Sequence, residues 1–132
     1  MGIRTLVAAG EGTRERVIHI LRSAGGYTVV AEAQDGVSAV RLAEQERPDL
    51  VVLDVDLAEL GGIEATPPIR SRLPDSTIVV LTHSAGGRLA AWAGADRSVS
   101  LAAPDTEIVA AVESALPVEL LGHAPAGVHR PA

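Results

Sequence analysis

The chain has no cysteine and no phenylalanine, and a single tyrosine and a single tryptophan, Tyr27 and Trp92, are its only aromatic residues. Without thiols, disulfides, zinc–thiolate centres and thiol nucleophiles are excluded, and a cytoplasmic location is the expectation. Without an aromatic pair there is nothing to sandwich a flavin ring. Basic charge is also scarce: 11 Lys and Arg stand against 17 Asp and Glu, a formal net charge of −6 spread along the chain. No cationic patch marks a nucleic-acid surface, so no direct contact with nucleic acid is expected. No apolar run approaches the roughly 20 residues of a membrane span, and the N-terminus lacks a signal-peptide pattern, so no membrane association is expected. The pairs Gly61-Gly62 and Gly86-Gly87 do not lead from a strand into a helix with a dinucleotide fingerprint, which leaves no phosphate loop.

What is present is a 132-residue chain, 47% apolar, in which Ala, Val, Leu and Ile supply nearly all of that fraction. This is enough for one core, and the mixture suits close packing of helices on a buried sheet. Ile3 to Ala9 reads as a strand, and Gly10-Glu11-Gly12-Thr13 as a turn ending on a helix-capping threonine. Val17, Ile20, Leu21 and Ala24 then make one apolar stripe that ends at Gly25-Gly26. A second strand spans Tyr27 to about Ala33, and Asp35-Gly36 opens a helix with Val37, Val40 and Ala43 facing inward until Arg47-Pro48 stops it.

Leu50-Val51-Val52-Leu53 and Ile78-Val79-Val80-Leu81 do not alternate, as expected of central parallel strands covered on both faces. They end at Asp54 and Thr82. Ser98 to Leu101 is a weaker fifth strand, and Asp105 to Leu116 a final helix with Ile108, Ala111, Val112 and Ala115 on one face. Thr66-Pro67-Pro68 conflicts with a helix starting at Gly62, and a start with Thr66 as N-cap and Pro67 at the first position relieves the conflict. The order is βα repeated five times, an α/β fold with a parallel sheet. Residues 1–116 form the domain, and 117–132, rich in Pro, Gly, Ala and His, read as a flexible tail or linker.

Sites in such sheets form at the carboxyl ends of the strands. The polar residues there are Glu11, Asp54, Asp56, Thr82, His83 and Ser84. At these positions Pro48-Asp49-Leu50-Val51-Val52-Leu53-Asp54 resembles the third strand of response-regulator receiver domains, which closes on the phosphoacceptor aspartate. The resemblance continues through Gly62-Ile63-Glu64-Ala65, Val79-Val80-Leu81-Thr82 and Ala93-Gly94-Ala95, and covers roughly residues 3 to 116. It implies a flavodoxin-like (βα)5 receiver fold with strand order 2-1-3-4-5, Asp54 as the phosphorylation site and Thr82 as the switch hydroxyl. The Ile3-Arg4 opening and the Ala93-Gly94-Ala95 triplet are most similar to regulators that carry a C-terminal helix-turn-helix domain, which lies outside this chain.

The departures fall on the reacting groups. Receivers close their first strand on two acidic residues that hold Mg²⁺, and here those positions are Ala9 and Gly10. Leu101 stands where the family has its lysine, Ser98 replaces the switch aromatic, and Ala58 replaces a frequent proline. The segment from Thr82 to Gly94 is about a turn short for the helix expected there. The metal and the lysine neutralise the charge that builds on a transferring phosphoryl group. Asp54 with a backbone carbonyl near Asp56 is a poor Mg²⁺ cage. Glu11 and Asp56 could supply further carboxylates, although solvated loop positions are the simpler account of each. His19 and His83 lack paired metal-site spacing, and His123 and His129 belong to the tail.

The reading is therefore an atypical receiver, a non-enzymatic signalling module for two-component phosphorelay and transcription control. It holds no cofactor, binds Mg²⁺ weakly if at all, and works through protein contacts or a ligand. A protein partner or a homodimer is expected, through the face built from the helix preceding Gly94, the fifth strand and the last helix. There Trp92 is either a core anchor or an interface residue. The alternative is an ordinary phosphoacceptor receiver modified on Asp54 with Mg²⁺.

Overall fold

In the computed structural model, which describes residues 2–83 and 93–121, the continuous apolar runs become buried parallel strands. These are β1 (Ile3–Ala8), β2 (Tyr27–Ala33), β3 (Leu50–Asp54), β4 (Thr77–Thr82) and β5 (Arg97–Ser100), paired in parallel in the order β2-β1-β3-β4-β5. Four helices, α1 (Glu11–Ala24), α2 (Gly36–Glu46), α3 (Gly62–Arg72) and α4 (Asp105–Ala115), and a single helical turn, α5 (Val118–Leu121), complete the described elements. The helix expected between Thr82 and Gly94, with Trp92, lies outside the described residues, as do Ser84, Gly86-Gly87, His123 and His129.

Every residue of β3 and β4 is buried, which is why neither shows polar alternation. Their side chains still alternate between two cores. Leu6, Val51, Leu53, Ile78 and Val80 face α2 and α3, where Ala39, Ala43, Ala65 and Ile69 meet them. Val7, Leu50, Val52, Val79 and Leu81 face the other way, onto Val17, Leu21 and Val112 of α1 and α4. Each large side chain buried in this way contributes about 1.5–3 kcal/mol. The register pairs Ala8 with Leu53 and Asp54 with Leu81, so that β1, β3 and β4 end at one edge.

Four local expectations change. The N-cap of α1 is Gly10, not Thr13, because the Gly10 carbonyl accepts from the Arg14 amide at 2.8 Å and closes the first turn earlier. In α2 the inward face is Gly36, Ala39 and Ala43, while Val37 is 57% exposed. The helix approaches so closely that a Cβ on Gly36 would collide with the Leu60 carbonyl, which selects the small residues for the inner face. The helix α3 starts at Gly62 and carries Pro67 and Pro68 inside it, so Thr66 is not its N-cap. The prolines cannot donate to the preceding turn, and the start is held by the Ala65 amide on the Gly61 carbonyl at 2.8 Å and by the Thr66 hydroxyl on the Gly62 carbonyl at 2.6 Å. Finally, the segment after Pro117 begins as the α5 turn, with Leu120 and Leu121 packed against the α1–α4 core.

Candidate functional site at the ends of β3 and β4

Asp54 closes β3 and is 4% exposed. Its loop is anchored on three sides. The Val55 amide donates to the Leu81 carbonyl at 3.0 Å, the Gly62 amide to the Val55 carbonyl at 3.3 Å, and the Gly36 amide to the Ala58 carbonyl at 3.1 Å. Gly62 is required by a close approach, since a Cβ there would lie 2.5 Å from the Asp54 carbonyl oxygen. The carboxylate is oriented as well: Asp54 Oδ1 accepts from the Asp56 amide at 2.9 Å.

The same oxygen also accepts from His83. The Nε2 of His83 lies 2.9 Å from Asp54 Oδ1 and 3.4 Å from Asp56 Oδ2. Hydrogen bonding to Asp54, and the negative charge of Asp54 and Asp56, hold the His83 pKa above the ordinary imidazole value, against the smaller opposing cost of desolvation. The sequence places His83 at the strand ends but, by spacing alone, gives it no paired metal-site partner. The signal was available in the topology: β4 lies beside β3 and ends at the same edge, so the residue after Thr82 emerges next to Asp54.

Thr82 is 9% exposed, and its hydroxyl makes a long 3.5 Å contact to the Val99 carbonyl across the β4–β5 edge. Glu11 is exposed in the first turn of α1 and is not among the ligand atoms that cluster within 4.8 Å of one another, which belong to Asp54, Asp56 and His83. Leu101 packs against the α1–α4 core. Its carbonyl accepts from Arg16 at 2.7 Å, which ties α1 to the loop after β5. No other lysine can substitute, because the chain contains none and all 11 of its basic residues are arginine.

The donors present do not fit the Mg²⁺ that receivers hold. Magnesium demands near-octahedral oxygen coordination, yet Ala9 is a fully buried methyl and Gly10 has no side chain. The Ala9 carbonyl is engaged by the Arg14 guanidinium at 2.9 Å, which places a fixed positive charge at the end of β1. Among the described residues, what remains near Asp54 is one further carboxylate and an imidazole nitrogen. The acidic pair Asp54 and Asp56 nevertheless stands together at the strand edge, where the resemblance to receivers implies the phosphorylation site.

Comparison with known proteins agrees with this architecture. The family model for the response regulator receiver domain matches residues 9–113. Among curated proteins, the chain is 42% identical over 81 residues to a protein-glutamate methylesterase/protein-glutamine glutaminase of Myxococcus xanthus, covering 61% of this chain and 23% of that protein. It is 38% identical over 69 residues to the transcriptional regulatory protein DegU of Brevibacillus brevis, covering 52% of this chain and 29% of that one. The chain thus spans only about a quarter of the length of these relatives. Among solved structures, a LuxR-family two-component response regulator from Aurantimonas sp. SI85-9A1 superposes with a TM-score of 0.80 at 33% identity, covering 94% of this chain and 89% of that one. The receiver domain of the sensor histidine kinase PA1611 of Pseudomonas aeruginosa, solved with magnesium in its active-site cleft, gives 0.75 at 30% identity, covering 87% of this chain and 98% of that one. With its sheet order, its strand-end carboxylate and these matches, the chain belongs to the response regulator receiver domain family.

Proposed function

We propose that this receiver is an atypical one, in which Asp54 pairs with His83 in place of Mg²⁺ and lysine, and which signals without efficient metal-dependent phosphorylation. The observation that carries the reading is the 2.9 Å contact between His83 Nε2 and Asp54 Oδ1. An acceptor already hydrogen-bonded to an imidazole gives up that partner before it attacks phosphorus. The transferring phosphoryl group then meets neither of the charges that ordinarily compensate it. Loss of metal assistance alone removes several kcal/mol of transition-state stabilisation, which is orders of magnitude in rate.

The chain then acts as a cytoplasmic regulatory module of two-component signalling and not as an enzyme, working through a protein partner, a second copy of itself or a ligand at the strand edge. The names of relatives such as DegU support a role in transcription control, with DNA contact made by a domain outside these residues. The test is sedimentation of the chain with and without a small phosphodonor and Mg²⁺. The expected result is one unchanged profile. A Mg²⁺-dependent shift that Asp54→Asn abolishes would instead establish the ordinary phosphoacceptor, the reading favoured by the retained Asp54, Asp56 and Thr82.

A further inference from the structure

We infer that the Asp54, Asp56 and His83 cluster is a binding site for a borderline divalent transition ion of the Zn²⁺ or Co²⁺ class. The inference rests on the reading above and names a ligand for the same strand edge. Metal–ligand bonds of about 2.0–2.2 Å place neighbouring donors roughly 3 to 3.5 Å apart. The separations from His83 Nε2 to Asp54 Oδ1 and Asp56 Oδ2 are 2.9 and 3.4 Å. His83 Nε2 thus lies close to coordination spacing from each carboxylate, and all three donor atoms fall within 4.8 Å of one another. The ion would displace the proton that Nε2 shares with Asp54.

Their chemistry selects the metal. An imidazole nitrogen with carboxylate oxygens suits Zn²⁺ and its neighbours, whereas Mg²⁺ wants an all-oxygen cage, and the two positions that would complete such a cage are Ala9 and Gly10. The same substitutions that remove the magnesium ligands thus leave a nitrogen-bearing donor set intact. The donors are also held in advance. Asp54 is 4% exposed and oriented by the Asp56 amide. The residue preceding His83 is fixed by the Leu101 amide on the Thr82 carbonyl at 2.8 Å. The side chains of His83 and Asp56 are 47% and 72% exposed, so an ion has a route in and water can fill the remaining coordination positions.

The test uses the whole chain after treatment with a chelator, titrated with Zn²⁺ alone and with Mg²⁺ alone by calorimetry, and with Co²⁺ followed by its visible absorption. The expected result is one Zn²⁺ per chain, bound at least a hundredfold more tightly than Mg²⁺, and a Co²⁺ spectrum of nitrogen–oxygen coordination. In His83→Ala, checked for an unchanged circular dichroism spectrum, Zn²⁺ affinity falls roughly tenfold or more. In the double variant His123→Ala/His129→Ala it does not fall. Binding that survives His83→Ala or disappears with the tail histidines overturns the inference, as does Mg²⁺ binding as tight as Zn²⁺. The two readings fail separately: a chain that takes up a phosphoryl group with Mg²⁺ yet binds Zn²⁺ through His83 refutes the proposed function and upholds this site. A chain that does neither refutes this site alone.

Discussion

His83 and Asp54, 29 residues apart in sequence, meet at 2.9 Å because β3 and β4 are neighbours that end at the same edge of the sheet. The contact raises the His83 pKa in the folded chain. A raised histidine pKa means that the pairing stabilises the fold fully below the unfolded value of about 6.5, and that this contribution is lost as pH rises through the higher folded value.

In thermal melts with a chelator present, from about pH 6 upward, the melting temperature of the native chain relative to His83→Gln should therefore shrink as pH rises. The effect is small, since the histidine side chain is 47% exposed and solvent screens the pair. A difference that stays constant with pH would show that the imidazolium and Asp54 are not coupled.

The glycine under Asp54 predicts a second result. Gly62→Ala drives a Cβ into the Asp54 carbonyl, and relieving the overlap costs about 1–3 kcal/mol. Gly12→Ala, at a helical glycine with nothing within 4 Å of the new methyl, should stabilise by roughly 0.4–1 kcal/mol. Urea unfolding of the two variants checks both signs, and similar midpoints would refute the close approach.

Leu53 immediately precedes Asp54 and is completely buried among the α2 and α3 side chains. Leu53→Ala should cost about 2–5 kcal/mol by chemical denaturation. A loss below about 1 kcal/mol would mean that the cavity collapses or that β3 is not central.

Much of this was legible in the sequence. The runs at residues 50–53 and 78–81 show no polar alternation because both faces of those strands are covered, and that fixed their place in the centre of a parallel sheet. The strand ends followed from the same pattern, and with them Asp54 and Thr82. Val37 was misread because apolar spacing alone does not reveal that Gly36 packs against Leu60 and turns the small residues inward. The start of α3 was ambiguous because the local penalty of Pro67 and Pro68 is offset by contacts of Gly61 and Gly62 that no propensity encodes. The pairing of His83 with Asp54 was not legible for a related reason: the partner is supplied by the neighbouring strand, and sequence spacing measures only distance along one element.

Restoring the missing ligands gives a gain-of-function test. In the double variant Ala9→Asp/Gly10→Asp, Mg²⁺ affinity by calorimetry should rise at least tenfold above the native chain, whose dissociation constant is expected to exceed about 1 mM. Equal affinities would show that the end of β1 is not where the site was dismantled.

The most direct measurement is the intact mass of the chain after incubation with a small phosphodonor and Mg²⁺, with the magnesium-binding Ala9→Asp/Gly10→Asp variant treated in parallel. An unshifted mass for the native chain is the predicted result. A stoichiometric phosphoryl adduct that requires Mg²⁺ and is lost in Asp54→Asn would contradict the account, because it would mean that Asp54 reacts readily with His83 beside it and without the family's acidic pair or lysine.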